Sequence, residues 1–239
     1  MRILLNTLYV TTPEAYLSKD GMNVVVSVKQ EEVFRIPIHN VEQIITFGYM
    51  GASPGVMKLC CDSGVTLTFL SPNGRFIGHV QGPTKGNVLL RKVQYNLSDN
   101  KDVALHLCRI FIAGKILNYR NILCRFIRDN GDNEKVENAA CRLLRCKNSL
   151  LRAETINNIR GIEGEAANCY FSVFPQMILH QKEHFVFEGR NRRPPKDAVN
   201  AMLSFVYTLL CNEIVSALES VGLDPYVGFM HTLRRDVRH

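Results

Sequence analysis

Three segments in the second half of this sequence hold side chains that helix packing alone does not call for. In RGIEGEAANCYFSVF, Glu163 and Glu165 stand beside Gly161 and Gly164. At helical spacing Glu163 shares a face with Ala166, Ala167 and Tyr170, whereas Glu165 falls well round the helix. Such a glutamate is either a hard oxygen donor or a first-turn carboxylate favoured by the helix dipole. In EGRNRRPPKDAVNAMLSFVYTLL, Arg190, Arg192 and Arg193 precede two prolines and a long helix. Guanidinium forks and free amides at a helix entry can hold phosphate oxygens, and the same three arginines can equally form a solvated turn. Asn200 and Tyr207, seven apart, either line a polar cleft or form a buried polar pair. In GLDPYVGFMHTLRRD, two glycines and Asp224-Pro225 fix the backbone ahead of His231, and Arg234 and Arg235 follow. A glutamate from one helix and a histidine from another supply two ligands for a hard divalent metal, given one more carboxylate and water.

The elements that must position these groups change character along the chain. Residues 1–85 read as β-structure: Val24, Val26 and Val28 share one face, and Val65, Leu67 and Phe69 oppose Thr66 and Thr68. Asp20-Gly21 and Asn73-Gly74 are turn signals between such runs. One short helix intervenes, with Ser53 as its cap, Pro54 in its first turn and Gly64 at its end. GPTKGN, residues 82–87, is punctuation suited to a hinge. Beyond it, VALHLCRIFIAGKILNYRNILCRFIRDN has three- and four-residue apolar spacing, interrupted by Arg109, Lys115, Arg120, Arg125 and Arg128. Further helical runs are expected around 134–147, 149–158, 161–172 and 197–221. The expectation is an α+β chain of two domains: a small β-sandwich-like domain at 1–85 and an all-helical domain at 86–239.

With 239 residues, 46% hydrophobic and 21% charged, the composition excludes a disordered tail, a collagenous chain and a small disulfide scaffold. Eight cysteines form no C-x-x-C pair, and most have apolar neighbours, as reduced buried thiols do. No secretory pattern opens the chain, and no run is read as reaching the roughly 18 apolar residues of a membrane span. A cytoplasmic protein without membrane contact is therefore expected. The net charge of +7 is uneven. Residues 1–85 hold 7 Lys/Arg against 6 Asp/Glu, and residues 86–239 hold 22 against 16. The basic excess is either a set of solvated helix faces or a phosphate-binding surface.

GIEGEAANCYF, RRPPKDAVNAMLSFVYTLL and GLDPYVGFMH, in this order and spacing, resemble the CRISPR-associated integrase and endonuclease of the adaptation module. LLNTLYVTTPEAYLS, FGYMGASPG and FLSPNGRFIGHVQGPTKGNVLLRKVQY resemble the branch of that family accompanying type I-C systems. The resemblance implies a prokaryotic enzyme that inserts spacers into the CRISPR array, cleaves branched DNA, pairs into homodimers through its β-domain and joins a small second adaptation protein. It implies Mg2+ or Mn2+ held by a glutamate, a histidine and a further acidic residue. Glu163, the glutamate followed by glycine, takes the family's glutamate position, and His231 takes the histidine position. The family's acidic ligand lies on a leucine-rich helix after that histidine, whereas this sequence ends at LRRDVRH with Asp236 as its only later carboxylate. The sequence is thus expected to be truncated at its C-terminus. The alternative to an active enzyme is a weak or inactive DNA-binding scaffold.

Overall fold

Short apolar strands open the chain, and a computed structural model describes residues 2–4, 6–49, 51–80, 82, 87–191 and 194–230. Strands β1 (Arg2–Leu4), β2 (Thr7–Val10), β6 (Gln43–Phe47), β7 (Thr66–Leu70) and β8 (Phe76–Val80) form one sheet in the order β1-β2-β6-β7-β8. Its central pairs, β2 with β6 and β6 with β7, are parallel, and its outer pairs are antiparallel. β3 (Ala15–Asp20), β4 (Asn23–Val28) and β5 (Glu31–Pro37) form a second, antiparallel sheet. Leu17, Val24, Val26 and Ile36 of the small sheet meet Leu8, Val10, Ile44 and Leu67 of the large one in one core. Val56, Leu59 and Cys60 of helix α1 (Pro54–Ser63) pack into that core as well. The cap of α1 follows from its residues. Ser53 accepts from the Val56 amide, Pro54 occupies the first turn, and Gly64 at φ 71° turns the chain out. Gly74, at φ 75°, supplies the left-handed backbone of the β7–β8 turn.

The helical elements are α2 (Val88–Asp99), α3 (Lys101–Asn130), α4 (Glu134–Ser149) and α5 (Ile156–Val173), followed later by α6 (Ala198–Ser220). Asn100 caps α3 by accepting from the Asp102 and Val103 amides, and Asn133 caps α4 through the Val136 amide. Cys108, Ile112, Ile116 and Leu123 of α3 pack on Val136, Ala140 and Leu143 of α4 and on Ile159, Ala166 and Tyr170 of α5. The expected separate helices at 149–158 and 161–172 need correction. After α4 the chain makes a single 3-10 turn, Leu150–Arg152, and then one helix runs through Gly161 and Gly164. A capping box at Thr155 and Asn158 starts this helix early, and its packed face holds the two glycines in place at a cost of about 1 kcal/mol each relative to alanine. The described residues of 178–197 form turns and bends.

The compact units also divide differently from the expected 85/86 boundary. One gathers the chain up to Val88 together with Phe205–Pro225; the other gathers Leu89–Ser204 and the described residues from Tyr226 onward. The reason lies on the second face of the large sheet. Thr66 and Thr68, expected to face away from the core, are 8% and 1% exposed, because α6 lies over them on the face opposite Leu67. Phe205 sits with its ring centroid 5.8 Å from that of Phe47. Gln43, with its amide nitrogen turned toward α6, donates to the Glu213 carboxylate, and His79 lies 3.7 Å from Glu219. Parallel strands are ordinarily covered on both faces, and α6 provides the second cover. α6 is also long and apolar enough to cross a membrane by length and composition, which corrects the expectation that no run reaches this length. Two of its polar side chains nevertheless have partners inside the fold: Glu213 with Gln43, and Asn200 with the carbonyl of Gly189. Most of the expected hinge, residues 83–86, lies outside the described residues.

Candidate active site

α3 and α5 build the candidate site along their shared seam. The Ala166 and Tyr170 face of α5 is buried, and Glu163 stands on the same face, one and two turns earlier. Its carboxylate forms an ion pair with Lys115 of α3, the two side chains being 27% and 40% exposed. Further along the seam, Tyr119 and Tyr170 stack with ring centroids 4.2 Å apart and planes at 9°. The Lys115 ammonium lies 5.8 Å from the Tyr119 ring centre. Arg109 of α3 fixes the approach to α5 by donating to the Ala153 carbonyl at 2.6 Å. Glu165 points elsewhere, as its spacing requires: Arg142 of α4 donates to it at 3.0 Å in an exposed pair. That hydrogen bond holds the Arg142 guanidinium above its ordinary pKa.

His231, Arg234, Arg235 and Asp236 lie outside the described residues, as do Arg192 and Arg193. The chain leading to His231 is described. Val227 accepts from the Gln94 side chain of α2 at 3.4 Å, and Phe229 and Met230 pack against the helical core. Arg160, one helical turn before Glu163 on α5, donates to the Met230 carbonyl at 2.5 Å. The residue preceding His231 is therefore bonded to the helix that carries Glu163. Sequence reasoning singled out neither Lys115 nor Arg160 for this site. The only signal was Lys115 as a charge breaking the apolar stripe of a buried helix.

Arg190 sits in a polar junction at the start of α6. Its guanidinium donates to the Asn200 side chain at 2.8 Å and to the Asn191 carbonyl. Ser204 also accepts, at 3.4 Å. Asn200 is fully buried, and it donates to the Gly189 carbonyl at 2.9 Å and to Asp197 at 2.6 Å. Partial desolvation raises the Asp197 carboxyl, yet bonds from the Asn200 side chain and backbone and from Asn191 hold it below the usual aspartate range. Asn200 and Tyr207 are not a buried polar pair: Asn200 is buried, whereas Tyr207 is 40% exposed.

A hard divalent ion needs oxygen-rich surroundings with room for water. Glu163 fits that need, being a partly exposed carboxylate that already holds a cationic group. Among the described residues, no three His, Cys, Asp or Glu side chains gather as a metal-binding group. Burial raises the Cys108, Cys146 and Cys169 thiols above their ordinary pKa, so they are poor thiolate ligands.

A family model described as "CRISPR associated protein Cas1" matches residues 8–238. The chain is 50% identical to "CRISPR-associated endonuclease Cas1 1" of Chlorobaculum tepidum over 97% of its length and 68% of that relative. It is 43% identical to "CRISPR-associated endonuclease Cas1 2" of Rhodospirillum rubrum, again over 97% of the chain and 68% of the relative. Among solved structures, a Cas1 protein from Thermotoga maritima superposes with a TM-score of 0.75 at 22% identity, covering 94% of this chain and 68% of that one. A casposase bound to integration product gives 0.76 at 22% identity, covering 96% and 66%. At these identities the two structures establish the fold.

Proposed function

The chain belongs to the Cas1 family of CRISPR-associated proteins, and on that premise we propose that it is a metal-dependent DNA endonuclease and integrase of spacer acquisition. Two relatives at 43–50% identity carry the endonuclease name. The observation that carries the reading at this site is the Arg160–Met230 bond, which ties the residue before His231 to the helix bearing Glu163. On this reading Glu163 and His231 hold Mg2+ or Mn2+. A bound divalent ion stabilises charge on a phosphodiester and lowers the pKa of an attacking 3′-hydroxyl or water. Arg160 positions the histidine-bearing segment. The tyrosine stack fixes the facing of α3 and α5. Arg190, Arg192, Arg193, Arg234 and Arg235 contribute to the phosphate-binding surface, Arg190 through the junction that it organises.

The partners on this reading are double-stranded or branched DNA, a second copy of the chain, and the small second adaptation protein. A neighbouring fold was solved in a "Cas6-RT-Cas1--Cas2 complex", which supports the last of these. Tyr16, Met22 and Val33 of the small-sheet region are 46%, 59% and 49% exposed and offer apolar surface for a homodimer. The test is cleavage and strand transfer on branched DNA with Mn2+ or Mg2+, set beside Glu163→Ala. Metal-dependent products from the native chain alone support the reading. One observation favours the runner-up, a DNA-binding scaffold without turnover: within the described residues Glu163 pairs with Lys115, and no three metal-binding side chains gather there. DNA binding without products from either chain would select it.

A further inference from the structure

We propose that Lys115 is the resident counter-cation of the metal-binding carboxylate, which a divalent ion must displace to load. The inference rests on the reading of Glu163 as a metal ligand and adds how loading is regulated. Lys115 lies 48 positions from Glu163 in sequence, and its ammonium bonds Glu163 Oε1. A carboxylate has lone pairs to spare, so an ion could approach the other oxygen. Two positive charges beside one carboxylate repel strongly, however, and the ammonium is the mobile one. The pair is open enough for a hydrated ion to reach, with the lysine 40% and the glutamate 27% exposed.

The released ammonium has a place to go. Its Nζ already lies 5.8 Å from the centre of the Tyr119 ring, within reach of a cation–π contact. The ring cannot swing away, because it stacks on Tyr170 at 4.2 Å and Tyr170 is buried. Lys115 and Tyr119 are four apart on α3, so one helix face carries both the holding and the receiving position. In its resting state the carboxylate is neutralised without metal. In the loaded state the lysine stays beside the site on the tyrosine.

The experiment uses the full chain and two measurements. Mn2+ binding is titrated by electron paramagnetic resonance in the native protein, Lys115→Met and Glu163→Gln. The side-chain ammonium of Lys115 is followed by nitrogen-15 NMR while Mg2+ is added to the native protein. The expected results are Mn2+ affinity about two- to five-fold tighter in Lys115→Met, the scale of a half-exposed ion pair, and a Lys115 resonance that moves as Mg2+ saturates the site. Unchanged or weaker Mn2+ binding in Lys115→Met overturns the proposal, as does a Lys115 resonance indifferent to saturating Mg2+. The NMR arm needs no variant, so a folding defect in Lys115→Met does not spare the proposal. If Glu163→Gln binds Mn2+ as tightly as the native chain, the metal reading itself fails and this proposal with it.

Discussion

Tyr119 and Tyr170 lie almost flat against one another, one turn beyond Lys115 on α3 and two turns beyond Glu163 on α5. Phe171 and Phe174 meet the Tyr170 ring edge-on at 5.3 and 5.9 Å, so the stack is braced from behind. Removing a buried ring of this kind leaves a cavity. Tyr170→Ala is expected to cost about 3–5 kcal/mol in chemical denaturation, whereas Tyr170→Phe, which keeps the stack, should cost far less. Equal losses in the two variants would show that the hydroxyl, rather than the ring, sets the stability.

Glu163→Ala and His231→Ala are each expected to lower metal-dependent cleavage of branched DNA by at least ~10²-fold, the scale on which groups supporting a metal act. DNA affinity at fixed salt should stay within about three-fold, because neither residue is assigned to phosphate. Gel-based cleavage and fluorescence anisotropy separate the two quantities. Cleavage retained together with lost binding would reassign both residues to DNA contact or packing.

The arginines of the 190–193 loop should behave differently from one another. Arg192→Ala and Arg193→Ala are each expected to reduce the slope of log K against log salt by about 0.9 for every duplex phosphate that goes unneutralised. Arg190 bonds Asn200 and Ser204 within the fold. Arg190→Ala should therefore cost about 1.5–3 kcal/mol of stability, the net worth of hydrogen bonds from a charged group, with Asn200 Oδ1 still accepting from the Asn191 amide. Thermal melts beside salt-dependent anisotropy distinguish these outcomes, and an unchanged melt in Arg190→Ala would argue against the junction.

Much of the fold is legible where one residue type has a local duty. Ser53, Pro54 and Gly64 mark the ends of α1 because capping is a local reaction of the backbone, and Asn73-Gly74 marks its turn for the same reason. Glu163 and the inward face of α5 follow from helical spacing. The start of α5 does not. Sequence places the helix start at Gly161, yet the buried Ile159, with Ala166 and Tyr170, anchors a helix that already begins at Ile156. Three-dimensional partners leave still less trace. Nothing local in α6 announces that Phe205 and Glu213 close a sheet built some 160 residues earlier, or that Lys115 meets Glu163.

The underside of α6 should make the protein sensitive to pH. Burial, and then the nearby Glu42 charge, hold the Glu213 carboxyl above its ordinary pKa. The neighbouring Tyr9 hydroxyl is raised too, by burial and then by Glu213. A carboxyl raised in the folded state binds more protons there than in the unfolded chain, so its contribution to stability grows as pH falls through the raised value and is lost as pH rises. Glu213→Gln should flatten the fall in stability above the ordinary glutamate pKa and raise Tm at about pH 7.5. A lower Tm in Glu213→Gln would show instead that the charged carboxylate is a net support for Gln43.

A homodimer is expected at tens of micromolar, an order of magnitude set by modest interfaces. Light scattering coupled to size exclusion checks it. Val33→Glu places charge on the exposed strand β5 and should shift the population toward monomer. A monomer in the native chain at that concentration would remove the dimer from the reading.

The discontinuous first unit also sets an order of events during synthesis. Its strands leave the ribosome first, but the segment that closes the second face of the large sheet begins at Phe205. Until then Ile45 and Leu70, each 0% exposed in the finished fold, have no cover on that side. The helices from α3 to α5 rely mainly on one another, neighbours in sequence, and can assemble in the meantime. The part of the chain made first is thus the last to be completed. Throughout that interval the large sheet waits with one face bare, an exposed apolar surface of the kind that chaperones shield.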